Sequence, residues 1–155
     1  MSTTLTVEER FLAKAEVAPS GCWLWTATLI NSGYGRFWYE GKLELAHRVA
    51  YEIFVAPIPD GMTIDHTCHT RDCHGPVICE HRRCVNPDHL EPVTQQTNLL
   101  RGRTIPARNA VKTHCVNGHR FSTANTVTYI DRKGSAFRYC RACASERYQQ
   151  RRQAS

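Results

Sequence analysis

The 155 residues are enough for one ordinary domain or for two small modules, neither of which can bury a large apolar core. Residues 1–15 are polar and show no secretory signal, and no stretch has the roughly 18 apolar residues of a membrane span, so we expect a cytoplasmic chain with reduced thiols. Residues 101–155 carry twelve Lys and Arg against two acidic residues, whereas residues 1–100 carry eight against twelve. The last third is therefore the candidate for binding a polyanion, and a solvated basic surface is the alternative.

The N-terminal region predicts short helices and strands, and therefore an α+β fold. Residues 5–16 predict an amphipathic helix that Thr6 caps, with Glu9 three residues further on. Residues 46–54 have their apolar side chains at the spacing of one helical face. Between the two helices, three aromatic and β-branched runs predict a small antiparallel sheet: residues 22–25, 33–39 and 43–45.

The middle of the chain predicts the order strand, long loop, strand, helix. The strands are predicted at residues 62–64 and 90–93, and the helix runs from the N-cap Thr94 to about Leu100. The next segment contains Gly, Pro and basic residues without apolar periodicity, as a linker or hinge does. We therefore divide the chain into an N-terminal region, a strand–loop–strand–helix core, a basic linker and a second module: residues 1–61, 62–102, 103–113 and 114–155.

Cysteines in the loop of that core form the first predicted metal site. The set comprises four thiols within 17 residues: Cys68, Cys73, Cys79 and Cys84. Soft ligands at short spacings suit a tetrahedral zinc ion, which would close the loop and stabilise the fold. His69, His74 or His81 can replace one thiol, although we expect all three to face solvent or a bound polyanion. Disulfides become the alternative only if the chain is exported.

A second predicted zinc site lies in the C-terminal module and consists of two knuckles. Its ligands are Cys115, His119, Cys140 and Cys143, with a predicted β-hairpin between the knuckles. His114 is the rival fourth ligand, but its adjacency to Cys115 would strain the chelate. The segment after Cys143 is helical in propensity and basic, which suits contact with a phosphate backbone. Cys22 is the odd cysteine outside both sets.

Three polar residues lie at the end of the first predicted strand and at the start of the predicted helix, which the folded core would bring close together. Asp65 and His66 end the first strand, and Asn98 lies in the first turn of the helix. Histidine has the pKa that a general base needs near neutral pH, and carboxylate and amide oxygens suit Mg²⁺ or Mn²⁺. Each residue also has a structural alternative, as a turn, surface or helix residue, and His89 can equally be a zinc ligand.

This arrangement resembles the HNH endonucleases, in particular their phage and homing-type branch. The stretches that carry the resemblance are AHRVAYEIF, PDGMTIDHTC and CVNPDHLEPVTQQTNLLRG, within residues 46–102. The preceding GCWLWTATLINSGYGRF is similar to the region before this domain in phage members, and the paired knuckles are similar to zinc modules found beside it.

The resemblance implies a ββα-metal (His-Me finger) nuclease core that hydrolyses DNA phosphodiester bonds in a bacterial or phage-infected cell. It makes His66 the general base, Asp65 and Asn98 the ligands of a catalytic Mg²⁺ or Mn²⁺, and His89 the residue that orients the base loop. Many members have Asn at the position of His89. Both zinc ions would be structural. The resemblance leaves both a monomer and a homodimer open.

The basic residues of the last third are expected to bind the DNA backbone. They are Arg101, Arg103, Arg108, Lys112, Arg138, Arg141, Arg147, Arg151 and Arg152. The alternative function is that of a non-catalytic zinc-finger DNA-binding or regulatory protein. That alternative explains the cysteines and the basic tail but leaves Asp65, His66 and Asn98 without a role.

Overall fold

A computed structural model of the chain describes residues 5–70, 73, 79–132, 134 and 136–154. The chain divides into two compact units, Met1–Thr104 and Ile105–Ser155, which we call the N-terminal and the C-terminal unit. Within the described ranges, no helix is both long enough and apolar enough to cross a membrane. The architecture is α+β, with short antiparallel strand pairs in both units.

The first helix, α1 (Val7–Leu12), is shorter than predicted. Thr6 caps it as expected, and the Glu9 side chain accepts a hydrogen bond from the Thr6 backbone N–H, which completes a capping box. The prediction that the helix continues to residue 16 was wrong. Strand β1 (Ala15–Val17) pairs there with β2 (Trp23–Trp25), so the chain exchanges helical hydrogen bonds for those of a sheet.

A second hairpin leads into the main helix of the N-terminal unit. Strands β3 (Arg36–Tyr39) and β4 (Lys42–Leu45) pair across a tight turn. Helix α2 (Ala46–Phe54) follows directly, with the bounds predicted from its periodicity. The core that these elements enclose consists mainly of aromatic and small aliphatic side chains: Phe11, Trp25, Phe37, Ala46, Val49, Ala50, Tyr51, Ile64, Val85 and Leu90.

The predicted strand–loop–strand–helix order is confirmed, with both strands extended slightly. Strand β5 (Met62–His66) pairs antiparallel with β6 (Leu90–Thr94), so that Asp65 lies opposite Glu91. Thr94 caps helix α3 (Gln95–Arg101) as expected, by accepting the backbone N–H of Thr97. Within the connecting loop, two 3-10 turns are described: Glu80–Arg83 and Pro87–His89.

The C-terminal unit contains little apolar core. Helix α4 (Ile105–Ala110) forms in the segment predicted as a linker or hinge. Strands β7 (Thr126–Ile130) and β8 (Ala136–Cys140) make the predicted hairpin, and helix α5 (Arg141–Gln153) follows. Its buried apolar and sulfur-bearing residues, among those described, are Ala107, Cys140 and Cys143. Apolar burial on this scale cannot hold the unit together, so it depends on another source of cohesion.

Candidate active site and metal-ligand clusters

The three residues predicted to perform catalysis line one cleft of the N-terminal unit. The cleft has a volume of about 680 Å³, and Asp65, His66 and Asn98 all lie on its wall. Strand β5 presents Asp65 and His66 at its end, while the first turn of α3 presents Asn98, because α3 packs against the β5–β6 pair. Tyr34 and His47 also contribute to the wall.

The His66 side chain is held by a hydrogen bond to the backbone of Cys84. Its side chain is buried, and its Nε2 lies 2.9 Å from the backbone carbonyl oxygen of Cys84. A carbonyl only accepts, so Nε2 must carry the proton and donate, which leaves the lone pair on Nδ1. Burial lowers the pKa of His66, although the Cys84 carbonyl opposes this shift. The imidazole is therefore neutral at pH 7, the state in which it can accept a proton.

His47 is a second buried histidine of this cleft, and it was not among the site residues predicted from the sequence. Burial lowers its pKa to about 3, with a smaller effect from the nearby His66. The two imidazole rings lie 4.8 Å apart, centroid to centroid. Its buried Nδ1 has no hydrogen-bond partner among the described residues. The sequence signal for it was the His-Arg pair at the start of α2.

Asp65 binds the backbone on one side and an arginine on the other. Its Oδ1 accepts the backbone N–H of His66 at 2.9 Å, and its Oδ2 lies 3.3 Å from Nη1 of Arg101. The same Arg101 nitrogen lies 2.7 Å from a carboxylate oxygen of Glu91. Arg101, predicted as a DNA contact, therefore pairs with two carboxylates of its own chain and keeps positive charge beside Asp65.

The first cluster of metal-ligand atoms consists of Cys22, Cys68, Cys84 and His89, whose donor atoms all lie within 4.8 Å of one another. Nδ1 of His89 is 3.5 Å from Sγ of Cys22 and 3.6 Å from Sγ of Cys84. A hydrogen bond from the Cys68 thiol lowers the pKa of Cys84 to about 4, against the effect of burial. A buried thiolate needs a compensating cation, and this ligand set fits zinc.

This cluster corrects the predicted grouping of the loop thiols. The four residues expected to form one site, Cys68, Cys73, Cys79 and Cys84, are divided between two sets. Cys68 and Cys84 join the first cluster. Cys73 and Cys79 join His69 and His81 in a second set, which we call the loop cluster. His69 and His81 were expected to face away from a metal, and the structure places them differently.

The reason for the new grouping is a long-range backbone contact. The N–H of Val85 donates to the Trp23 carbonyl at 2.8 Å, and Leu24 forms a β-bridge with Cys84. These contacts bring Cys22, which directly precedes β2, beside Cys84. The predicted role of His89 changes as well, because its Nδ1 faces two thiols in the manner of a zinc ligand, which was the alternative assignment from the sequence.

The C-terminal cluster brings together the four residues that the spacing predicted. Donor atoms of Cys115, His119, Cys140 and Cys143 lie within 4.8 Å of one another. Nδ1 of His119 is 3.2 Å from Sγ of Cys143, and its Nε2 is 3.2 Å from a carboxylate oxygen of Glu146. A carboxylate on the outer nitrogen is the usual arrangement around a zinc-bound histidine. The rival, His114, lies instead within hydrogen-bond distance of the Thr113 hydroxyl.

Comparison with known protein families matches residues 44–76 to the family described as HNH endonuclease. Protein 2.8 of Escherichia phage T7 is 32% identical over 94 residues, which cover 59% of this chain and 56% of that protein. Protein 7.7 of the same phage is 36% identical over 77 residues, 50% of this chain and 51% of that protein. The chain thus spans about half the length of these two relatives.

A third relative is covered more completely. The protein named Uncharacterized gene 5.3 protein, from Enterobacteria phage T3, is 32% identical over 91 residues, which are 54% of this chain and 87% of that protein. No solved structure matches the chain significantly.

Proposed function

We propose, since this chain belongs to the HNH endonuclease family of phage type, that it is a metal-dependent endonuclease that hydrolyses DNA phosphodiester bonds in the phage-infected host cell. The observation that carries the proposal is the buried, neutral His66, whose Nε2 is held by the Cys84 carbonyl in a cleft shared with Asp65 and Asn98. The antiparallel β5–β6 pair followed by α3 is our candidate for the ββα-metal core.

In the proposed mechanism, His66 is the general base. The hydrogen bond to Cys84 fixes the imidazole with Nδ1 unprotonated, so this nitrogen takes the proton of the attacking water. Because burial keeps the ring neutral, no proton has to leave it first. The arginines on the cleft wall, Arg82, Arg101 and Arg103, provide positive charge where a phosphate would bind. The products are 5′-phosphate and 3′-hydroxyl ends.

Asp65 and Asn98 are the residues that would hold the catalytic Mg²⁺ or Mn²⁺. The donor set fits, because a carboxylate and an amide on one cleft offer the hard oxygen ligands that these ions prefer. When bound, such an ion neutralises charge on the phosphate and on the leaving oxygen. The Arg101 guanidinium, 3.3 Å from Oδ2 of Asp65, indicates that this carboxylate already attracts a cation.

Zinc has a structural role in the proposal. An ion in the first cluster would fix Cys84, whose carbonyl positions the general base, and would join β2 to the loop that follows β5. An ion in the C-terminal cluster would supply the cohesion that the small apolar core of that unit cannot.

The nuclease activity is tested with supercoiled plasmid DNA and protein purified without chelator. We expect nicked or linear plasmid on addition of Mg²⁺ or Mn²⁺ and no product when neither is added. Asp65→Asn should reduce cleavage at least tenfold and raise the metal concentration needed, because it removes the charged ligand and leaves the zinc clusters intact. Binding without cleavage under every metal condition would favour the non-catalytic DNA-binding alternative.

The basic residues predicted to contact DNA, apart from Arg101, divide into one that stabilises the fold and several whose side chains are exposed. Arg138 stacks on the Phe121 ring and donates to the carbonyls of Asn109 and Lys112, so its role is in the fold of the C-terminal unit. The other predicted DNA contacts beyond Arg101 have exposed side chains: Arg103, Arg108, Lys112, Arg141, Arg147, Arg151 and Arg152. We propose that these hold the phosphate backbone.

Replacing two arginines at the end of α5 tests this assignment. The double variant Arg151→Gln, Arg152→Gln should bind DNA more weakly, and its plot of log K against log salt should be shallower by about 0.9 for each phosphate that the protein no longer neutralises. Lys42→Gln is the control, since Lys42 pairs with Glu44 in the other unit. Fluorescence anisotropy across a salt series measures both the affinity and the slope. An unchanged slope in the double variant would mean that these arginines are only a solvated surface.

A further inference from the structure

The loop cluster has no role in the nuclease mechanism, yet its atoms converge closely. Nδ1 of His81 lies 3.4 Å from Sγ of Cys73 and 3.1 Å from Sγ of Cys79. A tetrahedral zinc ion with Zn–S of about 2.3 Å and Zn–N of about 2.0 Å places sulfur and nitrogen roughly 3.5 Å apart. With His69, all four donor atoms lie within 4.8 Å of one another. The separations are close to those around one tetrahedral ion.

We propose that His69, Cys73, Cys79 and His81 bind a zinc ion of their own. The loop cluster shares no residue with the first cluster, so both can be filled at the same time. Two thiolates and two imidazoles form a complete structural zinc ligand set, with no position left for water or substrate. The three clusters together then use all eight cysteines of the chain.

Hydrogen bonding alone does not account for this convergence. Nδ1 of His81 offers either one proton or one lone pair, but two sulfurs approach it within 3.4 Å. Nδ1 of His69 is buried and has no hydrogen-bond partner in the described part of the chain. A buried polar nitrogen without a partner is costly, and coordination to a metal removes that cost.

The position of the loop cluster gives the ion a structural consequence. His69, Cys73 and Cys79 line the same cleft as His66, and Arg82 follows His81 directly. Nη1 of Arg82 donates to the Ser32 carbonyl at 3.1 Å, so this stretch of loop is tied to the turn before β3. A zinc ion would thus hold one wall of the cleft in place.

The zinc content of the full-length protein tests the proposal. Purified without chelator, it should contain three zinc ions per chain by elemental analysis. Cys79→Ser and His81→Ala should each contain two, while the control His114→Ala keeps three. Two ions in the wild-type protein, or three in both loop variants, would overturn the assignment. These measurements use no DNA, so they succeed or fail independently of the proposed nuclease activity.

Thiol protection provides a second readout that needs no variant. In the native zinc-loaded protein, a maleimide probe should leave Cys73 and Cys79 unmodified, and both should react after chelation, as peptide mass spectrometry will detect. Rapid labelling of both cysteines before chelation contradicts the proposal. So does a mass two daltons below the reduced value for their peptides, since that is the signature of a disulfide between them.

Discussion

The variant His66→Ala is expected to lose DNA cleavage by about 100-fold to 10,000-fold, the range that a general base contributes. His66 lies on the cleft wall, and because its Nε2 is occupied by the Cys84 carbonyl, its lone pair is on Nδ1. The variant leaves every cysteine and histidine of the three clusters in place, so its zinc content should equal that of the wild-type protein. Plasmid cleavage in Mn²⁺ measures the decrease.

A matched variant separates the chemical role of His66 from its structural one. Alanine leaves the Cys84 carbonyl without its buried donor, which costs roughly 1–3 kcal/mol of stability. In His66→Gln the amide still offers a donor for that carbonyl but cannot take a proton near neutral pH. We expect His66→Gln to melt closer to wild type and to be equally inactive, with DNA binding retained in both. His114→Ala is the control, because His114 lies outside the cleft lining and the three clusters. Cleavage by His66→Gln within a few-fold of wild type would refute the mechanism.

The elements that the sequence predicted well are those fixed by local chemistry. Helix α2 follows from apolar side chains at helical spacing, and the start of α3 follows from the Thr94 cap, because both signals lie within a few residues. The C-terminal cluster belongs to the same class, since each knuckle is local and a hairpin joins the two. Asp65, His66 and Asn98 lie on one cleft because helix α3 packs back against the β5–β6 pair, which the short chain between β6 and α3 favours.

The errors arose where distant segments meet. Helix α1 ends early because Ala15–Val17 finds a strand partner at Trp23–Trp25, a preference that helical propensity does not reveal. Likewise, the spacing of four thiols in one loop suggested a single site. The Val85 to Trp23 hydrogen bond, which moves Cys22 into that site, is invisible at the level of the sequence. Tertiary pairing therefore decided which sulfurs lie together in one cluster.

Cys22 consequently carries the sharpest test of the first cluster. The sequence assigned it no ligand role, whereas the structure buries it within the cluster, with Sγ 3.5 Å from Nδ1 of His89. If it is a zinc ligand, Cys22→Ser should contain one zinc ion fewer than wild type and lower the melting temperature by at least about 10 °C. Each 1 kcal/mol lost from the free energy of unfolding lowers the melting temperature of a 60–100-residue domain by about 4–8 °C. The loss of a structural zinc ligand costs several kcal/mol of that free energy.

Loss of this ion should also reduce cleavage, although Cys22 itself does not line the cleft. The effect passes through Cys84, which shares the cluster and whose carbonyl holds Nε2 of His66 in position. Cys115→Ser is the matched control, since it also removes one thiol and is expected to remove one ion, but from the C-terminal cluster. Melting of the N-terminal unit should therefore remain near that of wild type. Cys22→His keeps a possible ligand at the position and should recover part of the zinc content. If Cys22→Ser retains the full zinc content and the wild-type melting temperature, Cys22 is only a buried thiol, and the base must owe its position to the loop backbone alone.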